Sequence, residues 1–341
     1  MDAIFYHGHG RQGFKLTSSA ASVYDRPVVA AEIYGAFQED KFTVNTLYQA
    51  AMEVFVRGIN SLIPHGMWYD TEPQSVRIPP LISGYSKKLQ SALRQFNDFA
   101  ARTSMMLTGG KQIAEIGIIY PIASLQGFYH FEAKDNNGFG KFAPKETDYL
   151  TIGDELTNTL HRDFTFIHPQ LFLSKQYIIA DKQVILSNKI NSQAYKVIII
   201  QGGKVISYYT LKKIQQFYNA GGKVIATSML PTKSAEFGLD TGINRIVKEM
   251  FYGTKKTSTR MILKPNGGAA IFLLNPDSAI LIKTLDQLTP NADVIIKDSN
   301  NSTAGNGRFS YLHKVRDGKQ IYYFANSTTD VINAEVMLRG K

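Results

Sequence analysis

The stretch Arg26-Pro-Val-Val-Ala-Ala-Glu-Ile-Tyr-Gly-Ala-Phe37 decides how the chain is read. Pro27 sets the entry, Val28 to Ala31 has the composition of a strand buried on both faces, and one carboxylate, Glu32, stands where that run ends. Downstream, Thr43 to Arg57 carries Leu47, Ala50, Ala51, Val54 and Phe55 at helical spacing, with Thr43 or Asn45 as N-cap and Gly58 as stop. A second apolar run, Ile59 to Ile63, ends in Pro64-His-Gly-Met-Trp-Tyr-Asp70. Strand, helix and strand within about 40 residues make the βαβ unit of an α/β fold. Parallel pairing of the two strands gathers Glu32, His65, Trp68, Tyr69 and Asp70 at one carboxyl-end face, where a β/α barrel keeps its chemistry.

The remainder of the chain extends this pattern. At 341 residues, two or three domains are expected. Ser86 opens a long helix closed by Gly109-Gly110. A second α/β region begins at Glu115-Ile-Gly-Ile-Ile-Tyr-Pro121 and includes the strand Lys196-Val-Ile-Ile-Ile200, a helix from Ser207 to Asn219 stopped by Gly221-Gly222, and the strand Lys223-Val-Ile-Ala-Thr227. This alternation predicts a doubly wound sheet. Tyr177-Ile-Ile-Ala180 and Val184-Ile-Leu186 form a hairpin signal around Asp181-Lys182, and Phe309 to Val315 forms another with Gln320 to Ala325 around Asp317-Gly318. The expected division is 1–110, 111–305 and a short β-rich segment over 306–341. Ala3-Ile-Phe-Tyr6 reads as a strand end that needs neighbours on both sides, and three strands at the other end cannot close a sandwich, so the chain is expected to be part of a longer polypeptide.

Composition removes several function classes. Without cysteine there is no disulfide, thiolate metal site or thiol nucleophile, and amidotransfer through a thiol is excluded. The formal charge of +10 is spread thinly: residues 1–110 hold 10 basic and 9 acidic side chains, 111–253 hold 16 and 12, and 254–341 hold 12 and 7. A solvated basic surface accounts for this better than a nucleic-acid groove, because no arginine cluster or nucleic-acid module accompanies it. No apolar run reaches the roughly 18 residues of a membrane span. Neither GxGxxG nor a P-loop follows the strand Ile116 to Tyr120, and Gly202-Gly203-Lys204 lacks the spacing of either, so nucleotide binding has no motif behind it. A structural or interface role is the default for the second domain.

Each candidate residue has an ordinary use beside the chemical one. Glu32 either closes a strand or is a carboxylate whose apolar approach tunes its acidity. Trp68 and Tyr69 either offer a stacking face to a ligand ring or pack beneath a loop, and His65 either contacts a ligand hydroxyl or Glu32 or is a satisfied structural imidazole. Asp70 is a second acid or a turn cap. His7, His9 and Arg11 lie on a glycine-bearing loop suited to substrate, with metal only weakly indicated. Lys15 and Ser19 are candidate pocket residues, and Ser19 has no identifiable triad partner.

Several of these segments resemble a known group. Lys15-Leu-Thr-Ser-Ser-Ala-Ala21, the Arg26 to Phe37 stretch with Glu32, and Phe55-Val-Arg-Gly-Ile-Asn60 leading to Pro64-His65 are similar to later barrel strands of bacterial glycoside hydrolases related to α-L-rhamnosidase family 106. Thr147-Asp-Tyr-Leu150, Arg162-Asp-Phe-Thr-Phe166, Tyr195-Lys-Val-Ile-Ile-Ile200, the Leu211 to Ala220 segment with Gly221-Gly222, and Tyr322-Tyr-Phe-Ala-Asn326 are similar to the segments that follow that barrel. The resemblance implies the C-terminal part of a (β/α)8 barrel, then a flavodoxin-like or amidotransferase-like domain and the start of a β-sandwich. It also implies a carbohydrate substrate cleaved by two carboxylates, Glu32 matching one and an earlier strand supplying the other. His65, Trp68, Tyr69, Asp70, His9 and Lys15 would then line the sugar site. No organic cofactor follows, calcium is permitted by the resemblance, and a full-length relative is expected in the periplasm or outside the cell. The alternative is a catalytically incomplete remnant that binds carbohydrate or serves as an interface.

Overall fold

The computed structural model describes residues 13–35, 42–65, 82, 84–128, 147–252, 259–298 and 309–339. These form mixed α/β structure in two compact units, 1–113 with 296–336 and 114–295 with 337–341.

In the first unit, α1 (Gly13–Val23) precedes β1 (Ala30–Ile33), α2 (Val44–Phe55), β2 (Ser61–Pro64), α3 (Gln90–Leu107) and β3 (Lys111–Gln112). β1 and β2 pair in parallel, Glu32 opposite Ile63 and Ile33 opposite Pro64. Asn60 fixes this register: its Oδ1 accepts from Val29 N at 2.8 Å and its Nδ2 donates to Pro27 O at 2.8 Å. Helix α2 starts where its sequence predicts, with Thr43 Oγ1 accepting from Thr46 N, and Gly58 takes φ +91° after its last turn. Leu47, Ala51 and Phe55 on that helix are fully buried in one cluster with Ala31, Ile33 and Phe96. β1 is not buried on both faces as its composition suggests. Its residues alternate, Ala31 and Ile33 inward and Ala30 and Glu32 outward, because the described residues cover one side of the pair.

The second unit is built on a six-stranded sheet. It contains β4 (Ile116–Ile119), α4 (Ile122–Gly127), α5 (Tyr149–Asp154, widening into a π turn over Glu155–Thr159), β5 (Phe164–Ile167) and α6 (Pro169–Phe172). A meander follows, β6 (Tyr177–Ala180), β7 (Gln183–Leu186) and β8 (Gln193–Tyr195), in which Asp181 and Lys182 both take positive φ, as a tight hairpin turn requires. Next come β9 (Val197–Ile200), β10 (Val205–Ile206), α7 (Tyr208–Asn219), β11 (Lys223–Thr227), β12 (Lys233–Ser234), α8 (Asp240–Phe251), β13 (Thr259–Leu263), β14 (Ala269–Leu273) and α9 (Ser278–Leu288). The sheet order is β13-β14-β11-β9-β4-β5, parallel except for β13. β4, β5 and β9 are buried at every residue, the signature of strands covered on both faces.

After β15 (Val294–Asp298), the hairpin β16 (Phe309–Arg316) and β17 (Lys319–Asn326) precedes β18 (Ala334–Leu338). The hairpin pairs through β16 with β3 and lies within the first unit. Lys314 Nζ donates to Leu107 O at 2.6 Å, and Arg316 Nη1 donates to Met105 O and Thr108 O at 2.9 and 2.8 Å, so two cations cap the carboxyl end of α3. Gly110, at φ +67°, is what allows the approach: a Cβ there would stand 2.6 Å from Val315 O.

Candidate functional site

Glu32 is the last outward-facing residue of β1, and His65 follows β2 directly, its N–H donating to Ile33 O at 2.8 Å. Parallel pairing in that register brings the two side chains together at the carboxyl ends of both strands. His65 Nε2 lies 3.6 Å from Glu32 Oε1, and the side chains are 46% and 56% exposed. The pair is thus open to a ligand from solvent while the backbone beneath it is held by the ladder and by Asn60. Protonated His65 would form an ion pair with Glu32; neutral His65 would serve as a donor or acceptor for a bound hydroxyl.

Two residues after Glu32 shape this face. Tyr34 is fully buried with φ +74°, a conformation that costs a bulky residue about 1–3 kcal/mol and is held only where its surroundings over-determine it. Its phenol donates to Leu47 O at 2.9 Å and its ring meets Phe42 edge to face at 5.5 Å. The bend sends the chain under His65, whose ring lies against Gly35: a Cβ there would stand 2.4 Å from His65 Cδ2. The sequence names Glu32 and His65 but gives no signal for Tyr34 or Gly35, since a left-handed tyrosine has no local motif.

The remaining candidates divide. Lys15 is wholly buried in α1, its carbonyl accepting from Ser19 Oγ at 2.6 Å and from Ser18 Oγ at 3.2 Å. Ser18 Oγ also lies 2.7 Å from Arg57 O, and Arg57 pairs with Glu53 at 2.9 Å, a buried group that Ser327 joins through Glu53 Oε2 at 2.6 Å. Lys15 and Ser19 therefore stand in a buried polar layer. His7, His9, Arg11, Trp68, Tyr69 and Asp70 lie outside the described residues. Among the described residues no group of three or more histidines and carboxylates could hold a metal ion. Among them, too, no helix is long and apolar enough to cross a membrane.

In the second unit, Asp148 accepts from Gly202 N at 2.7 Å, Thr227 Oγ1 at 3.0 Å and Ser228 Oγ at 2.5 Å, clasping the carboxyl ends of β9 and β11. Burial raises its pKa above the ordinary carboxylate value, with the three hydrogen bonds opposing.

Solved structures share this architecture at low identity, which speaks to the fold alone. A rhamnosidase from Novosphingobium sp. PP1Y superposes with a TM-score of 0.61 at 16% identity, over 96% of this chain and 28% of that one. A family 42 β-galactosidase, Gan42B from G. stearothermophilus, gives 0.58 at 12% identity, over 94% and 56%. A β-galactosidase from Bacillus circulans sp. alkalophilus gives 0.56 at 10%, over 94% and 57%. The chain thus spans from about a quarter to just over half the length of these relatives. None of the curated proteins matches it in sequence. A family model described as alpha-L-rhamnosidase matches residues 10–341, and on that match the chain belongs to glycoside hydrolase family 106.

Proposed function

We propose that this chain forms part of a glycoside hydrolase acting on an α-L-rhamnoside or a related deoxysugar glycoside, with Glu32 as one of its two carboxylates. The observation that carries this reading is the Glu32–His65 pair, half open to solvent at the carboxyl ends of two adjacent parallel strands. In this reading β1 and β2 are late strands of a (β/α)8 barrel. A two-stranded parallel sheet is not stable alone, and Val28 and Ile63, 56% and 52% exposed, are apolar surface that further barrel elements would cover. The second unit is then a flavodoxin-like domain following the barrel.

Glycosidic cleavage requires one carboxyl to protonate the leaving oxygen and another to attack the anomeric carbon or to activate water. Glu32 supplies one of these functions, and its separation from the second acid selects between retention and inversion. His65 holds the Glu32 carboxylate or a sugar hydroxyl, and Trp68 with Tyr69 offers an aromatic face to the sugar ring. The test is Glu32→Gln in the full-length protein, assayed on p-nitrophenyl α-L-rhamnoside. Turnover is expected to fall by about 10²–10⁴-fold with substrate affinity retained. Near-normal turnover would remove Glu32 from the mechanism, and sugar binding without turnover in the unsubstituted protein would favour the non-catalytic carbohydrate-binding alternative.

A further inference from the structure

The second unit holds a cavity of about 360 Å³ that the reading above does not use. It opens where the sheet order turns back on itself: β4 has β5 on one side and β9 on the other, and the segments after all three strands line the space. In open parallel sheets this crevice is where ligands bind, and the volume falls within the usual range for small-molecule pockets.

The walls are built in advance. Ser124 Oγ donates to Val205 O and accepts from Val205 N, both at 2.9 Å, and Gly202 is tied to Asp148. Gly203 sits so close to Ser124 that a Cβ would stand 2.6 Å from its Oγ. Pro121, Pro169 and Pro231 stiffen three of the lining turns. A pocket already fixed costs little ordering on binding.

Its chemistry disfavours anions. The N-terminus of α7, where a parallel α/β sheet would receive a phosphate, is occupied by the protein's own carboxylate. Glu236 accepts from Tyr208 N at 2.8 Å, from Ser207 Oγ at 2.6 Å and from Ser234 Oγ at 2.6 Å. Burial opposes its ionisation, but these donors together hold its pKa below the ordinary value, so the mouth carries a negative charge. Among the described residues no lysine or arginine lines the cavity. The rest of the lining combines apolar surface from Ile119, Ile200 and Val205 with the Tyr120 phenol, the His168 imidazole and three amides, Gln126, Gln170 and Gln201. Each amide offers both a donor and an acceptor, matching hydroxyl groups that are both at once. Gln201 is 6% exposed and its side-chain oxygen is buried without a hydrogen-bond partner, a cost that rotation toward a ligand hydroxyl would relieve.

We infer that this cavity is a second, non-catalytic carbohydrate site, which takes a small uncharged sugar or polyol through its amides and its apolar floor. The inference stands apart from Glu32 and survives if that residue proves inert. It is tested by calorimetric titration of the full chain with L-rhamnose and D-galactose, and in parallel with adenosine, AMP and FMN. A neutral sugar is expected to bind saturably, about tenfold more weakly in Gln201→Leu, the cost of one lost hydrogen bond. Ala235→Trp, on an exposed lining position, is expected to abolish the same binding that Gln201→Leu weakens. Circular dichroism confirms that each variant is folded. Sugar affinity unmoved by both cavity substitutions would assign the binding elsewhere and overturn the inference. So would preference for adenosine, AMP or FMN, or absence of saturable sugar binding.

Discussion

Glu32 and Asp148 are carboxylates at the carboxyl ends of parallel strands, one in each unit, and their surroundings differ in kind. Asp148 is buried against three donors drawn from the ends of β9 and β11. Glu32 keeps 56% of its side chain in solvent, with an imidazole at 3.6 Å that is itself 46% exposed. A carboxylate buried against the donors of its own fold holds that fold together, whereas one half exposed at the end of a strand is within reach of a substrate. The same residue chemistry at the same topological place is thus structural in one unit and, in our reading, catalytic in the other.

Substitution should separate the two. Glu32→Gln is expected to lower glycosidase turnover by about 10²–10⁴-fold while shifting unfolding free energy by no more than about 0.5 kcal/mol, as for other exposed positions. Denaturant unfolding alongside the assay checks both halves.

The next effect concerns a buried cation. Lys314, 9% exposed, has its pKa lowered to about 8, first by burial and then by Arg316. The unfolded chain, with lysine near 10.5, therefore binds more protons between pH 8 and 10.5, and stability must rise with pH across that window. Below pH 8 both states are charged and the full burial penalty is present, about 3 kcal/mol from a depression of 10.5 to about 8. Lys314→Met removes the titration, so the stability of the unsubstituted protein relative to this variant should climb from pH 8 to 10.5. A flat difference would show that the ammonium is better solvated than its contact with Leu107 O implies.

Asp148→Ala should be purely a stability defect, about 1–3 kcal/mol, because Gly202 N, Thr227 and Ser228 lose their shared acceptor. A drop in glycosidase turnover at full folding would undo the contrast with Glu32.

What the sequence made legible was local. The Val197 to Ile200 strand, the α7 helix between Ser207 and Gly221, and the Asp181-Lys182 turn each carry their signal within a dozen residues. Glu32 and His65 were legible because strand composition and βαβ spacing together put them at one end. What was not legible shares a cause: it depended on partners distant in sequence. The burial of Lys15 in α1, beside a Ser18 whose hydroxyl meets Arg57 O, could not be seen from its own segment. The return of β16 to α3 rests on Lys314 meeting Leu107, 207 positions away. The burial of β1 on one face depended on which neighbours cover it, which composition does not encode.

The smallest change that bears on the comparison is one methyl group at Gly35. Asp148 is oriented by hydrogen bonds, but His65 is oriented by contact, its ring resting where a side chain on residue 35 would be. A Cβ at 2.4 Å from His65 Cδ2 cannot be accommodated, and because His65 is half exposed the ring will swing outward instead of straining the core. Gly35→Ala should therefore leave stability nearly unchanged and lower kcat by about tenfold, the scale of a mispositioned group outside the bond-making step. Replacing His65 with alanine in the same background separates steric displacement from any other effect. If the imidazole acts only through its placement against Glu32, the double variant should be no slower than His65→Ala alone. Additive losses would mean that Gly35 serves the turn after Tyr34 more than it serves His65.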